Sequence, residues 1–222
     1  GLLINDINNI FFNHLIRSLN EELAKIGKRM IVLYTKSDNI AEEIGTLISL
    51  RVEAIVFIPR RYSSETEILL AQSRCYPLQI FVDVYPDFDS FTVDDALGAE
   101  LAVQEFAAHG HKKMMLIDTD NPIYEKRREG MTRAMQKLGL PYSEENFLVL
   151  PEADFREKQR RIAEAVKKSS PTAILSVTNN LTQNVARVLQ ELGRSDISLI
   201  MYDDSEWAQL NELTTISHPF IE

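Results

Sequence analysis

The feature that most constrains the fold is a regular alternation of two kinds of segment. Short, continuously apolar runs alternate with longer segments that carry apolar residues every three or four positions. The apolar runs are rich in β-branched residues, as in 54–58, and they show no polar alternation. Such strands are covered on both faces, as in parallel sheets flanked by helices. The sequence therefore predicts an α/β fold built on parallel sheets with helices on both faces.

The alternation repeats along the whole chain. The predicted strands are 2–4, 30–34, 54–58, 78–82, 91–93, 114–117, 146–150, 172–177, 197–201 and 214–216. The predicted helices are about 10–26, 40–48, a short one from 63 or 64, 96–108, 123–138, 154–168 and 181–192. Their expected N-caps include Asn8 or Asn9, Ser37-Asp38, and Ser63 or Ser64.

These units exceed what one sheet of modest size needs. Pro86 and several acidic residues interrupt the rhythm at 84–92, which we interpret as a loop and crossover. We therefore expect two similar lobes with a ligand cleft between them, an N-terminal lobe at 1–93 and a C-terminal lobe at 94–217. Residues 218–222 are expected to begin a crossover back to the first lobe.

Charge and composition exclude several classes of function. Acidic residues number 33 and basic residues 24, a formal charge of −9, so this chain is a poor nucleic-acid binder by itself. The single cysteine, Cys75, excludes an internal disulfide and a multi-thiolate metal site. No apolar run reaches the ~18 residues of a membrane span, and no signal peptide is visible. We expect a cytoplasmic protein with no membrane partner, and residues that precede Gly1.

Polar side chains follow nearly every predicted strand. In open α/β sheets, ligands bind outside the carboxyl ends of the strands. Asp, Asn and Arg can together satisfy the paired hydroxyls of a sugar or polyol, and an aromatic face can cover its C–H surface. The simpler alternative is that the Asp and Asn residues only cap the following helices. The residues at these strand ends are Asn5, Asp6, Asn8, Asn9, Lys36, Ser37, Asp38, Arg60, Arg61, Asp83, Asp94, Asp95, Asp118, Thr119, Asp120, Asn121, Asn179, Asn180, Asp203 and Asp204.

Catalytic and metal chemistry have weaker support. The pairs Asp94-Asp95 and Asp203-Asp204 could bind a hard cation, but adjacent side chains point in different directions. The sequence contains no G-x-G-x-x-G, Walker, G-x-S-x-G or H-E-x-x-H motif, and no activated nucleophile is apparent. We therefore expect neither an enzyme nor a cofactor or metal site.

Four segments together resemble the effector-binding core of the LacI/GalR family of transcriptional regulators, which has the periplasmic-binding-protein type I fold. The likeness runs from end to end, and it depends on the order and spacing of the motifs. Departures from the family pattern are Ile10, Met131, Asn180 and Met201. The segments are the opening turn at 5–12, the R-V-x-x-I strand at 51–59, the V-D-D…G…H-G-H-K pattern at 93–112, and the P-T-A-I…Y-D-D…L-T-T-I-x-x-P pattern at 171–219.

The resemblance implies roles for individual residues. It implies that Asp83, Asn179 and Asp203 bind hydroxyl groups, that Arg127 holds a polar or anionic group, and that Val93 lies near the hinge. Aromatic contacts would come from Phe11 or Phe12, which follow the first strand together with Asn9, and from Phe155. From this placement we expect Asp203→Ala and Arg127→Ala to abolish ligand binding with little loss of fold.

The resemblance also implies a mechanism. A small-molecule effector (a sugar, sugar phosphate or nucleoside-like compound) would bind between the lobes of a homodimer and shift it between operator-binding states. Operator DNA would be bound by an N-terminal helix-turn-helix outside this segment. Two alternatives stay open: a periplasmic sugar-binding protein of a transporter, and a sugar-handling enzyme.

Overall fold

The computed structural model describes residues 1–7, 9–151 and 154–217, and these form two compact units. Unit 1 comprises the described residues up to Val93, and unit 2 begins at Asp94. The segment 218–222, predicted to begin a crossover, lies outside the described residues. The assignment of the units to the lobes of an effector-binding core stays a prediction.

Unit 1 is a five-stranded parallel sheet with three helices. Its strands run in the order β2-β1-β3-β4-β5, and Leu3 on β1 is paired with Leu33 on β2 and with Phe57 on β3. A buried cluster that includes Ile44, Leu47 and Ile55 forms its core. The elements are β1 (Leu2–Ile4), α1 (Ile10–Lys25), β2 (Val32–Tyr34), α2 (Ala41–Ser49), β3 (Ala54–Phe57), α3 (Ser64–Gln72), β4 (Tyr76–Ile80) and β5 (Asp89–Phe91).

Unit 2 repeats this architecture. Its parallel strands run in the order β10-β9-β8-β6-β7, and the buried strands β6 and β8 lie at its centre. The elements are β6 (Met114–Thr119), β7 (Phe147–Leu150), β8 (Ala173–Ser176), β9 (Ser198–Tyr202) and β10 (Thr214–Ile216), with α4 (Asp95–Ala108), α5 (Tyr124–Lys137), α6 (Phe155–Ser169), α7 (Asn179–Glu191) and α8 (Glu206–Leu210).

The predicted α/β class with two parallel sheets is confirmed. Taken in chain order within each unit, both sheets have the strand order 2-1-3-4-5. This is a doubly wound order, in which the direction of winding reverses beside the first strand. Ligands in such sheets bind at the carboxyl ends of the strands near that reversal. In unit 2 the reversal lies between β6 and β8.

Several predicted boundaries were wrong. Strands β4 and β5 end at Ile80 and Phe91 rather than at 82 and 93, so part of the predicted 84–92 loop is strand. Helix α2 is not capped by Ser37-Asp38, because Asn39 Oδ1 accepts from Ala41 N at 3.1 Å. Helix α8 and a 3₁₀ turn at Glu144–Asn146 were not predicted, because segments this short carry little periodicity.

Helices α4 and α5 approach each other closely at a glycine. A Cβ atom on Gly130 would lie 2.1 Å from the carbonyl oxygen of Ala96. Only glycine therefore permits this crossing, which brings the first turns of α4 and α5 over the edge of β6. Among the described residues, no helix is both long and apolar enough to cross a membrane.

Candidate functional site

The carboxyl edge of the unit 2 sheet carries a buried ion-pair cluster centred on Arg127. Its Nε and Nη2 donate to Asp95 Oδ1 at 3.0 and 2.9 Å, and its Nη1 donates to Asp118 Oδ2 at 3.2 Å. All three side chains are buried: Arg127 is 7% exposed, Asp95 2% and Asp118 0%. The site thus contains two carboxylates that converge on one guanidinium from a helix and a strand end.

Hydrogen bonds and packing hold this cluster in place. Asp118 Oδ1 also accepts from Thr119 N at 2.6 Å and from Asn121 Nδ2 at 2.9 Å. The guanidinium carbon of Arg127 lies 4.6 Å from the centre of the Tyr202 ring, a cation–π distance. Tyr202 is positioned in turn by the hydrogen bond from its hydroxyl to the backbone oxygen of Asp95 at 2.9 Å.

Burial and ion pairing shift the pKa values of the cluster in opposite directions. Burial raises the pKa of Asp118 and of Asp95, and the charge of Arg127 offsets part of each rise. Burial opposes the charge on Arg127 itself, but Asp118 and Asp95 outweigh it and hold the pKa of the guanidinium above its usual value. Arg127 is therefore a permanent cation, neutralised within the fold.

Asp203 directly follows β9 on the same edge. Its backbone is left-handed (φ +69°), and its N–H donates to Ile216 O at 3.0 Å. Burial raises the pKa of Asp203 to about 7, although Arg127 acts in the opposite direction. The adjacent Asp204 is exposed, so the two neighbouring carboxylates face different surroundings, as predicted.

Asn179 begins helix α7 after β8 and is 4% exposed. Its Oδ1 accepts from Ser205 Oγ at 2.9 Å. Within the described part of the chain, its Nδ2 has no hydrogen-bond partner. Three predicted site residues, Arg127, Asn179 and Asp203, therefore lie on the carboxyl side of one sheet, and Asn179 retains an unsatisfied donor there.

The carboxyl edge of unit 1 is aromatic. Asn9 caps α1 by accepting from Phe11 N at 3.1 Å, and its role in ligand binding stays a prediction. The ring of Phe11 lies 5.4 Å from that of Phe12 and 5.0 Å from that of Phe81, both edge-on. Phe81 follows β4 with a left-handed backbone (φ +68°), the position that Asp203 occupies after β9.

Asp83 lies two residues beyond Phe81 and is exposed. It is positioned by the loop that Gln79 organises, because the buried Gln79 amide reaches both Asp83 Oδ1 at 3.4 Å and Tyr85 O at 2.8 Å. Val93 is half-buried at the end of unit 1. Arg60 and Arg61 each lie 3.4 Å from the carboxylate of Asp38.

Phe155 is not part of the polar cluster. It is the first residue of α6 and is 48% exposed. The guanidinium of Arg187, on the neighbouring α7, lies 5.6 Å from its ring centre. The structure therefore gives Phe155 a protein partner on the helical layer, and its predicted stacking on a ligand stays a prediction.

The sequence did not identify the partners of Arg127. Asp94-Asp95 was interpreted as a weak cation site, whereas Asp94 caps α4 and Asp95 binds Arg127. The expectation that Arg127→Ala causes little loss of fold took no account of these partners, because removing Arg127 would leave two buried carboxylates without a counter-charge. The only available signal was the position of Asp118 at the end of a fully apolar strand, where an acidic side chain needs a partner.

Comparison with known proteins identifies the family. The sequence model of the family described as "Periplasmic binding proteins and sugar binding domain of LacI family" matches residues 1–215. The chain belongs to this family. It is an effector-binding core of the LacI type.

Similar proteins are transcriptional regulators. The chain is 26% identical over 239 residues to catabolite control protein A of Priestia megaterium, an alignment that covers all of this chain and 70% of that protein. It is 24% identical over 235 residues to the HTH-type transcriptional regulator DegA of Bacillus subtilis, covering 69% of DegA. A LacI family transcriptional regulator from Enterococcus faecium, solved with bound ribose, shares the fold with a TM-score of 0.84 and 24% identity, over 99% of this chain and 84% of that one.

Proposed function

We propose that this LacI-type core binds a small sugar or a related polar metabolite and that binding controls the affinity of the complete regulator for operator DNA. The observation that carries the proposal is the concentration of buried polar side chains at the carboxyl edge of unit 2. Arg127, Asn179 and Asp203 are all less than 9% exposed there. Burying a polar side chain costs free energy unless it forms hydrogen bonds with a ligand or with another protein group.

The aromatic edge of unit 1 supports the same ligand class. Phe11, Phe12 and Phe81 offer an apolar surface that suits the C–H face of a sugar ring. The hydroxyl groups of a sugar suit carboxylate and amide groups such as those of Asp203 and Asn179 in unit 2.

A thermal-shift screen of pentoses, hexoses and disaccharides tests ligand binding. A ligand that binds only the folded protein stabilises it by about 2.7 kcal/mol at a hundred times its Kd. We expect at least one sugar to raise the Tm of this chain in a saturable manner. The matched pair Asn179→Ala and Asn180→Ala checks the site, because Asn179 is buried and its neighbour is exposed. If Asn180→Ala alone abolished the rise in Tm, the assignment of Asn179 to the ligand site would be contradicted.

Regulation requires a second measurement. We propose that the protein acts as a cytoplasmic homodimer, in which the sugar favours one of two operator-binding states. The affinity of the complete regulator for its operator should change severalfold when the stabilising sugar is added. An unchanged operator affinity would contradict control of DNA binding, and turnover of the sugar would favour a sugar-handling enzyme instead.

A further inference from the structure

The charges at the carboxyl edge of unit 2 restrict which ligand groups this edge can bind. One cation, Arg127, lies with three carboxyl groups, those of Asp95, Asp118 and Asp203. All three nitrogens of the guanidinium already donate to Asp95 or Asp118 at 2.9 to 3.2 Å. Arg127 therefore presents no unneutralised charge, and carboxylates already accept from three of its five N–H groups.

This conclusion does not depend on how the protons are distributed. A single ionised carboxylate among the three is enough to cancel the charge of Arg127, and each further ionisation makes the edge negative. Lys126, which also acts on Asp95, is exposed on α5, so water and salt screen its charge. Among the described side chains, an anionic ligand group would meet no net positive charge at this buried edge.

The unsatisfied groups at the same edge match hydroxyls instead. Among the described residues, Asp95 Oδ2 has no hydrogen-bond partner, and the same is true of Asn179 Nδ2. Asp95 is 2% exposed and Asn179 is 4% exposed, so water does not easily reach these atoms. One is an acceptor and the other a donor. A hydroxyl group both donates and accepts, whereas the phosphate dianion of a sugar phosphate only accepts and would be repelled by the carboxylate of Asp95.

We propose that Asp95 and Asp118 act as specificity-determining residues that make the unit 2 edge select uncharged hydroxyl groups of a sugar and exclude phosphate and carboxylate groups. They act through Arg127, because each occupies guanidinium nitrogens that would otherwise bind an anion in a bidentate manner. This inference rests on the proposed function only in taking the ligand to be a sugar. The exclusion of anions stands on the charge balance alone.

The exclusion of anions is tested with inorganic phosphate as the probe. The ¹⁵Nε–¹Hε signal of Arg127 is followed by NMR while phosphate replaces chloride at constant ionic strength. In the native chain we expect no saturable shift of this signal. In the double variant Asp95→Asn/Asp118→Asn at pH 6, where the remaining Asp203 carboxyl is largely protonated, we expect a saturable shift at millimolar phosphate. A saturable shift at Arg127 in the native chain would overturn the proposal.

The matched control is Asp196→Asn. Asp196 is an exposed aspartate that also pairs with an arginine, Arg194, at 2.7 Å. This control should behave as the native chain does. The single variants Asp95→Asn and Asp118→Asn should also behave as the native chain does, because each keeps a carboxylate that pairs with Arg127. The native titration decides the proposal whether or not the double variant folds.

The selection of neutral sugars is tested with D-ribose and ribose 5-phosphate, by calorimetry on the same chain. We expect any bound sugar to bind at least tenfold more tightly than its phosphorylated counterpart. Equal or tighter binding of the phosphorylated form, together with a shift of the Arg127 signal, would overturn the inference. Failure of every sugar in the wider screen to bind would contradict the proposed function, while the phosphate titration would still decide the exclusion of anions.

Discussion

Arg127 Nη1 and Asp118 Oδ2 lie 3.2 Å apart in a buried ion pair that joins helix α5 to the end of strand β6. Both side chains are almost inaccessible to solvent, so neither charge can be hydrated if its partner is removed. Breaking a buried pair in this way costs more than the pair itself contributes. The cluster is thus a determinant of stability as well as a candidate ligand site.

We expect Arg127→Ala to destabilise the fold by about 3–5 kcal/mol, because it leaves Asp95 and Asp118 buried without a counter-charge. Urea unfolding followed by circular dichroism measures the change. The control is Lys137→Ala on the same helix, whose side chain is exposed, and it should change the midpoint little. Equal midpoints for both variants would show that the buried cluster does not stabilise unit 2.

Asp203 should make the chain less stable as pH rises, whereas a salt-bridged carboxylate makes a protein more stable as pH rises. Its pKa in the folded chain is about 7, above the 3.8 that is usual for a free aspartate, so the folded state holds a proton that the unfolded state releases between these values. The contribution of Asp203 to stability therefore falls as pH rises from about 4 to about 7. Asp203→Asn removes this loss of stability with rising pH. At pH 8 the variant should therefore be more stable than the native chain by on the order of a few kcal/mol.

The Asp203→Asn comparison has a close control in Asp204→Asn, since Asp204 is exposed. Asparagine tolerates the left-handed backbone of position 203, so the substitution changes charge and not conformation. Thermal unfolding from pH 4 to pH 8 should give a flatter profile for Asp203→Asn alone. A native profile parallel to that of Asp203→Asn would contradict the raised pKa.

Local pattern accounts for the elements that could be predicted from the sequence. The buried strands β6 and β8 follow from the apolar runs at 114–117 and 172–177, and the N-cap of α3 follows from Ser63, whose Oγ accepts from Thr66 N at 3.3 Å. The opposite environments of Asp94 and Asp95 follow from the geometry of a helix start, where Asp94 Oδ1 accepts from Leu97 N at 2.8 Å while Asp95 turns inward.

Contacts between distant residues were beyond the same reasoning. Arg127 pairs with Asp95 across 32 positions, and this requires the close crossing of α4 and α5. The left-handed backbone of Phe81 was equally hidden, because an aromatic residue disfavours that conformation and only tertiary contacts can impose it. Strand order, which decides which strand ends are neighbours, is likewise absent from local periodicity.

We expect Gly130→Ala to destabilise unit 2 by about 1–3 kcal/mol or more, because its Cβ would overlap the backbone of Ala96 and force α4 away from α5. Gly45→Ala is the control within another helix, where a Cβ would meet nothing within 4 Å. That variant should be more stable than the native chain by about 0.5–1 kcal/mol. Denaturant unfolding compares the two, and the same direction of change in both would contradict a steric role for Gly130.

Gln79 should be indispensable to the loop that carries Asp83. Its Oε1 accepts from Val84 N and Tyr85 N at 2.9 Å, and its Nε2 donates to Tyr85 O at 2.8 Å and Phe88 O at 3.2 Å. Gln79→Leu would leave these buried backbone groups unsatisfied, at about 1–3 kcal/mol for each group that water cannot reach. We therefore expect a marked loss of stability and faster amide exchange at 84 and 85. The control Gln104→Leu, at an exposed position on α4, should neither lower stability nor speed amide exchange. Slow amide exchange at 84 and 85 in Gln79→Leu would show that other contacts hold the loop.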